Sequence, residues 1–294
     1  VDLSDTQLFF GELTATLARC YARLPVNAQG HIVGTIAGPR CRYARTLQLR
    51  VPLQPVGASA PDLLQAVVTD PCDWTPEMPF LYDIELAAGS GADGQSFRGV
   101  VGFRPLAPLG RQLRLAGHNW VLRAARSESV VPASLADWRA HDLAMVIPNP
   151  SDELCGKASE IGVLILAVVD ASLEPPLAEL RRLARYPAVG FALLAGIAAA
   201  PAEFREAAPN LVFATRAARH LAPDDVPQVL VADSVPAGTL EVLEATSVPV
   251  LVDRPLGAAV TIEAARQACD LLQRDVAGWL VDRHVQTRPA GYIV

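Results

Sequence analysis

The sequence contains one lysine, Lys157, and the rest of its basic charge is arginine. Its 25 basic side chains face 31 acidic ones, for a net charge of -6. A chain so balanced is not expected to carry the basic surface that nucleic acid or an anionic membrane requires. Cysteine is sparse and unpaired in pattern. Cys20, Cys41, Cys72, Cys155 and Cys269 are odd in number, widely spaced and free of any C-x-x-C. This argues against a disulfide framework or a structural zinc site and predicts buried free thiols. No apolar run reaches membrane-spanning length without a charge or proline in it. No secretory signal is recognisable, which tilts the expectation towards the cytoplasm, and the chain starts at Val1 without methionine, which leaves an upstream segment open.

Familiar catalytic signatures are also missing. There is no G-x-S-x-G, Walker loop or H-E-x-x-H, and His31, His118, His141, His220 and His284 have no ligand spacing, so neither a metal nor a cofactor is implied. Gly89-Ser90-Gly91-Ala92-Asp93-Gly94 fits G-x-G-x-x-G formally. It falls between two β segments instead of between a strand and a helix, and reads as a hairpin loop.

What is present is a large apolar fraction, 51% against 19% charged in 294 residues, enough for a substantial core. Residues 1–112 read as all-β. Leu47, Leu49, Val51 and Leu53 alternate strictly, as do Tyr82, Ile84 and Leu86, and then Leu113 and Leu115. Gly- and Pro-rich breaks separate these runs, which predicts an antiparallel, immunoglobulin-like β-sandwich.

Over residues 113–294 the texture changes. Apolar runs become continuous, as in strands covered on both faces of a parallel sheet. Strands are predicted at Trp120–Ala125, Ala144–Pro148, Val163–Val169, Val189–Ala195, Leu211–Ala214, Gln228–Ala232, Val248–Val252 and Gly278–Val281. Helices are predicted between them at Pro132–His141, Ser151–Ile161, Pro176–Ala184, Pro201–Ala207, Gly238–Ala245 and Ile262–Arg274, with Ser134 and Asp152 at N-cap positions. Eight βα units predict a (β/α)8 barrel. About 175 residues follow Trp120, fewer than the roughly 200 that such barrels ordinarily need, so short helices or an incomplete barrel are expected. The link Arg216–Pro227 is the weakest of the helical segments.

Several segments together resemble glycoside hydrolase family 2, the β-galactosidase and β-glucuronidase family. Trp74-Thr75-Pro76-Glu77-Met78-Pro79-Phe80-Leu81-Tyr82 resembles that family's Trp-(Ser/Thr)-Pro-Glu-x-Pro-x-Leu-Tyr motif. Gly102-Phe103-Arg104 resembles the Gly-Phe-Arg that follows it, and residues 113–123 resemble the lead-in to the barrel. Asp152 to Val163, around Glu153-Leu154-Cys155, is similar to the helix after the second strand. The order and spacing agree over residues 30–195. The resemblance implies a sandwich followed by a barrel. It also implies a retaining pair of glutamates, which must lie about 5–5.5 Å apart to act as nucleophile and acid/base.

Those glutamates are not found. The family's Asn-Glu after the fourth barrel strand falls on Gly196-Ile197, and the nucleophile position after the seventh strand offers only Asp253, beside Arg254. The Arg and His expected after the second strand are replaced by Pro148-Asn149-Pro150. Polar residues nevertheless gather at the predicted strand ends: Arg126, Glu128, Asn149, Asp170, Arg216, Asp233, Asp253, Arg254, Asp282 and His284. They would hydrogen-bond a sugar or form a salt-bridge network. Asp170 with Asp253 or Asp233 would be a displaced catalytic pair, and Trp120 and Trp279 are candidate stacking platforms. Three readings follow: a non-catalytic glycosidase-like protein that binds a carbohydrate ligand or a protein partner, an active glycosidase with displaced carboxylates, and a structural or assembly subunit.

Overall fold

The structure is a computed structural model that describes residues 2–25, 32–89, 95–128, 130–172, 175–217, 227–257 and 260–294. The N-terminal part has seven strands: β1 Gln7–Leu13, β2 Leu17–Arg23, β3 Ile32–Arg40, β4 Leu49–Pro55, β5 Leu63–Thr69, β6 Leu81–Ala88 and β7 Gln95–Val101. They pair antiparallel in the order β1-β2-β5-β4-β3-β6-β7, with β4 bonded to both β3 and β5. The sheet folds over at β4 into two layers, β1-β2-β5-β4 and β3-β6-β7, the strand distribution of a constant-type immunoglobulin sandwich. Alternation drives this closure. Ala18, Cys20 and Ala22 of β2, Leu64, Ala66 and Val68 of β5, and Tyr82, Ile84 and Leu86 of β6 are all buried in one core. The Tyr82 hydroxyl accepts a hydrogen bond from the Cys72 amide (2.8 Å), the tyrosine corner of such sandwiches. The glycine-rich loop joins β6 to its antiparallel partner β7; residues 90–94 within it lie outside the described residues.

A small antiparallel sheet, β8 Leu106–Leu109, β9 Gln112–Leu115 and β10 His118–Trp120, leads into the barrel. The barrel strands are β11 Leu122–Arg126, β12 Ala144–Pro148, β13 Ile165–Asp170, β14 Val189–Ala195, β15 Val212–Arg216, β16 Val229–Asp233, β17 Val250–Asp253 and β18 Gly291–Ile293. All are parallel in sequence order, and β18 bonds both β17 and β11, so the barrel closes. The predicted bounds of β12 and β14 are met to the residue. The helices are short, as the length demanded: α1 Leu135–Ala140, α2 Asp152–Ile161, α3 Leu177–Ala184, α4 Ala202–Ala207 and α5 Pro236–Ala245, followed by α6 Ile262–Asp282. Ser151 is the N-cap of α2, accepting from the Leu154 amide (3.2 Å), one residue earlier than predicted. Ser134 stands at the N-cap of α1 but its side chain makes no capping bond there. Residues 218–226, in the link after β15, lie outside the described residues.

The eighth strand is a correction. Gly278–Val281, predicted as a strand, is the last turn of α6, a single helix of 21 residues. Its buried residues Ala265, Cys269, Leu272, Val276 and Leu280 recur every three or four positions, so the apolar stripe continues unbroken through the segment. The true strand, Gly291–Ile293, is three residues long, too short for a periodic pattern to reveal. Gly291 is required there: an added Cβ would meet Leu122 Cβ and O at 2.7 Å.

The sandwich docks on the N-terminal end of the barrel, through the motif segments. Trp74 is fully buried and its indole donates to Ser159 O at the end of α2 (2.9 Å). The Arg104 guanidinium donates to Pro187 O and to Asn210 O (2.6 Å), carbonyls just before β14 and β15. Burial pulls the Arg104 guanidinium down to about 10. Gly102 leaves room for this approach, since a Cβ there would sit 2.8 Å from Pro187 and 2.9 Å from Trp74. Arg139 of α1 donates to the carbonyls of Pro76, Glu77 (2.8 Å) and Ile161 (2.9 Å). All these barrel groups precede strands, so the opposite mouth, where the strands end, stays clear of the sandwich.

Candidate functional site

In a barrel of this kind, side chains at one level come from alternate strands. The upper layer here follows that rule. Arg126 ends β11, Arg216 ends β15 and Asp253 ends β17, the first, fifth and seventh barrel strands. They meet. The Asp253 side chain has no exposed surface, and each of its oxygens faces a nitrogen of Arg126, with Nη2 to Oδ2 at 2.5 Å. Arg216 Nη2 donates to the same Oδ2 at 2.9 Å, and its Nη1 donates to Asp233 Oδ1 at 2.7 Å. Asp233 and Asp253 are register partners on adjacent strands, bridged by one guanidinium. The position of these four residues at predicted strand ends carried the signal for this cluster, but only the alternate-strand rule says which of them share a level.

The other predicted residues are placed differently. Asp170 ends β13 but is exposed. Its Oδ1 accepts from the Ser172 amide (2.9 Å) and hydroxyl (2.6 Å). These bonds hold its carboxyl below the usual range. Arg254, next after Asp253, alternates outward to the helix layer. It donates to Asp275 of α6 (2.7 Å) and Ser234 Oγ (3.1 Å) and lies 6.0 Å from the Trp279 ring centroid. Glu128 and Asn149 are exposed on the links that leave β11 and β12, Asn149 with a left-handed backbone (φ 44°). Asp282 and His284 are not at the mouth, because the segment that carries them is the end of α6 and the turn beyond it. Trp279 lies on that helix, packed against the core. Trp120 belongs to the lead-in sheet and lines a cavity of about 360 Å³ at the N-terminal end, with Arg123, Arg139, Glu77 and Asp142.

The link that carries Gly196 and Ile197 is tightly packed. Gly196 has a left-handed backbone (φ 84°), and an added Cβ would lie 2.5 Å from Ser172 Cβ and 2.9 Å from its Cα. Thus the link after β13, pinned by Asp170, fills the space a side chain at 196 would take. Ile197 packs against the barrel core. Thr215 donates to Ala198 O (2.7 Å), fixing the same loop from β15.

Above the cluster is an open cavity of about 590 Å³. It is lined by Arg126 and Arg216 and otherwise by Val168, residues 193–198 (Leu193 to Ala198) and Ala217. Neither Asp253 nor Asp233 lines it. Among the described residues no three His, Cys, Asp or Glu side chains are grouped to hold a metal; His31 and His220 lie outside those residues. All five cysteines are free thiols, and Cys20, Cys155 and Cys269 are buried.

No protein-family model and no curated protein matches the sequence. Solved structures do match the fold. The β-D-glucuronidase of Dictyoglomus thermophilum superposes with a TM-score of 0.62 at 12% identity, over 99% of this chain and 61% of that one. A glycosyl hydrolase family 2 member from Bacteroides cellulosilyticus gives 0.64 at 12% identity, over 98% and 43%. The β-glucuronidase from Ruminococcus gnavus, in complex with an N1-substituted uronic isofagomine, gives 0.62 at 12% identity, over 99% and 60%. The chain therefore spans less than two thirds of the length of each of these enzymes. The chain has the fold of the family 2 glycoside hydrolases, an immunoglobulin-like sandwich followed by a closed eight-stranded parallel barrel.

Proposed function

We propose that this protein uses a glycosidase-type barrel without glycosidase chemistry, as a module that binds a carbohydrate ligand at the barrel mouth. The observation that carries this reading is the state of Asp253. A nucleophilic carboxylate needs a free oxygen facing substrate, and an acid/base partner about 5–5.5 Å away. Asp253 has no exposed side-chain surface and both oxygens are held by guanidinium groups. At the other matched position Gly196 and Ile197 carry no proton to give, and Ile197 packs against the barrel core.

The rival reading is an active glycosidase with displaced carboxylates. It draws on the adjacency of Asp233 and Asp253 in register. Turnover of a panel of nitrophenyl glycosides separates the two. The binding reading expects no release above the uncatalysed rate, and a rise in melting temperature with a sugar ligand. Release that disappears in Asp233→Asn establishes the rival instead. Neither release nor any ligand response leaves the structural-subunit reading standing.

A further inference from the structure

We propose that the barrel mouth is an oxyanion site, in which Arg126 and Arg216 hold the phosphate or carboxylate group of a small ligand. This deepens the ligand-binding reading above and rests on it. A glycosidase mouth must be anionic, because its transition state resembles an oxocarbenium cation. Here the charged side chains on the cavity wall are cationic, with their aspartate partners off that wall. Among the described residues, both charged side chains that line the 590 Å³ cavity are arginines, and the other lining side chains are apolar or absent. Asp253 lies beneath them with no exposed surface, Asp233 faces solvent with 73% of its side chain exposed, and Asp170 is turned to Ser172.

A guanidinium carries five N–H groups. Two of Arg126's point at Asp253, and Arg216 divides two between Asp253 and Asp233. Both arginines also line the cavity, where the other described side chains are apolar, and the planar fork matches carboxylate and phosphate oxygens two at a time. Asp253 acts through the arginines as a positioning residue. It holds both guanidiniums before a ligand arrives, which lowers the ordering cost of binding.

The test uses the whole chain, with calorimetric titration and melting temperature read at matched ionic strength. The probes are inorganic phosphate, glucose 6-phosphate, gluconate and glucose. At least one anion is expected to bind, and glucose to bind at least about tenfold more weakly, the loss of one charge-assisted contact. Binding by phosphate alone identifies the bare anion as ligand, a gain with glucose 6-phosphate identifies a phosphorylated sugar, and a preference for gluconate identifies a carboxylate. Arg216→Gln, which keeps the Arg126–Asp253 pair, is expected to weaken the anion about tenfold or more. Ala217→Glu places a carboxylate on the cavity wall without touching that pair, and is expected to abolish anion binding. Anion affinity unchanged in both variants, no anion binding, or equal affinity for glucose and glucose 6-phosphate overturns the oxyanion site while leaving a sugar-binding mouth intact. Glycoside turnover instead overturns the underlying reading.

Discussion

Replacement of Asp253 by asparagine distinguishes a structural carboxylate from a catalytic one. The side chain is wholly buried and is paired with two guanidiniums, Arg126 at 31% and Arg216 at 53% side-chain exposure. Removing one partner from a buried ion pair costs about 3–5 kcal/mol, because the remaining charge is left uncompensated. Both arginines reach solvent and are partly rehydrated, so the lower end applies, about 3 kcal/mol. At about 2–4 °C per kcal/mol, the melting temperature falls by roughly 6–12 °C. The assay is thermal unfolding by circular dichroism, beside glycoside turnover on the same samples. A catalytic carboxylate behaves in the opposite way, since active-site charges are held at a cost to stability and their removal leaves the fold unchanged or firmer. A variant that melts at or above the wild-type temperature and loses turnover refutes the structural role. A further control follows from the same physics. Arg126→Met, Asp253→Leu and Arg216→Met together leave no buried unpaired charge, since Asp233, which loses Arg216, is exposed, and are expected to regain most of the loss suffered by Asp253→Asn.

Gly196→Ala forces a side chain into left-handed backbone and against Ser172, and is expected to cost at least about 1–3 kcal/mol. A urea midpoint equal to wild type would mean that Ser172 does not close the space beside position 196. Alkaline pH supplies another expectation. Burial pushes the Cys20 and Cys155 thiols up to about 12 and that of Cys269 to about 11. The folded chain therefore keeps protons that the unfolded chain releases. The stability this gives is complete below the ordinary thiol range and is lost as pH rises towards 11–12. Urea midpoints are expected to fall above about pH 9, and less steeply in the Cys20→Ala, Cys155→Ala, Cys269→Ala variant; equal slopes would sink the assignment.

Much of the architecture was legible because local pattern and burial coincide. Continuous runs such as Ala144–Pro148 and Val189–Ala195 can only be strands covered on both faces, and β12 and β14 occupy those bounds. The eighth strand was not legible. Trp279 and Leu280 read equally well as strand or as helix face, and the stripe from Ala265 to Leu280 decides for the helix. With that strand moved to Gly291–Ile293, Asp282 leaves the mouth. The tyrosine corner at Tyr82 also escaped notice, because a hydroxyl bond to a backbone amide ten residues away leaves no local pattern.

The sequence by itself determined the order of sandwich and barrel, the strand-end positions of Arg126, Asp170, Arg216, Asp233 and Asp253, and the absence of a carboxylate at Gly196-Ile197. These are properties of residue type and period. Only the tertiary structure decided what the survivors do. Barrel closure brings β11, β15 and β17 to one level, so Arg126 and Arg216 converge on Asp253 and turn a candidate nucleophile into their counter-ion. The same closure packs Ser172 against Gly196 and leaves no room for a side chain there. Charge and reach across a barrel depend on which alternate strands share a layer, and that relation is not written in any one strand.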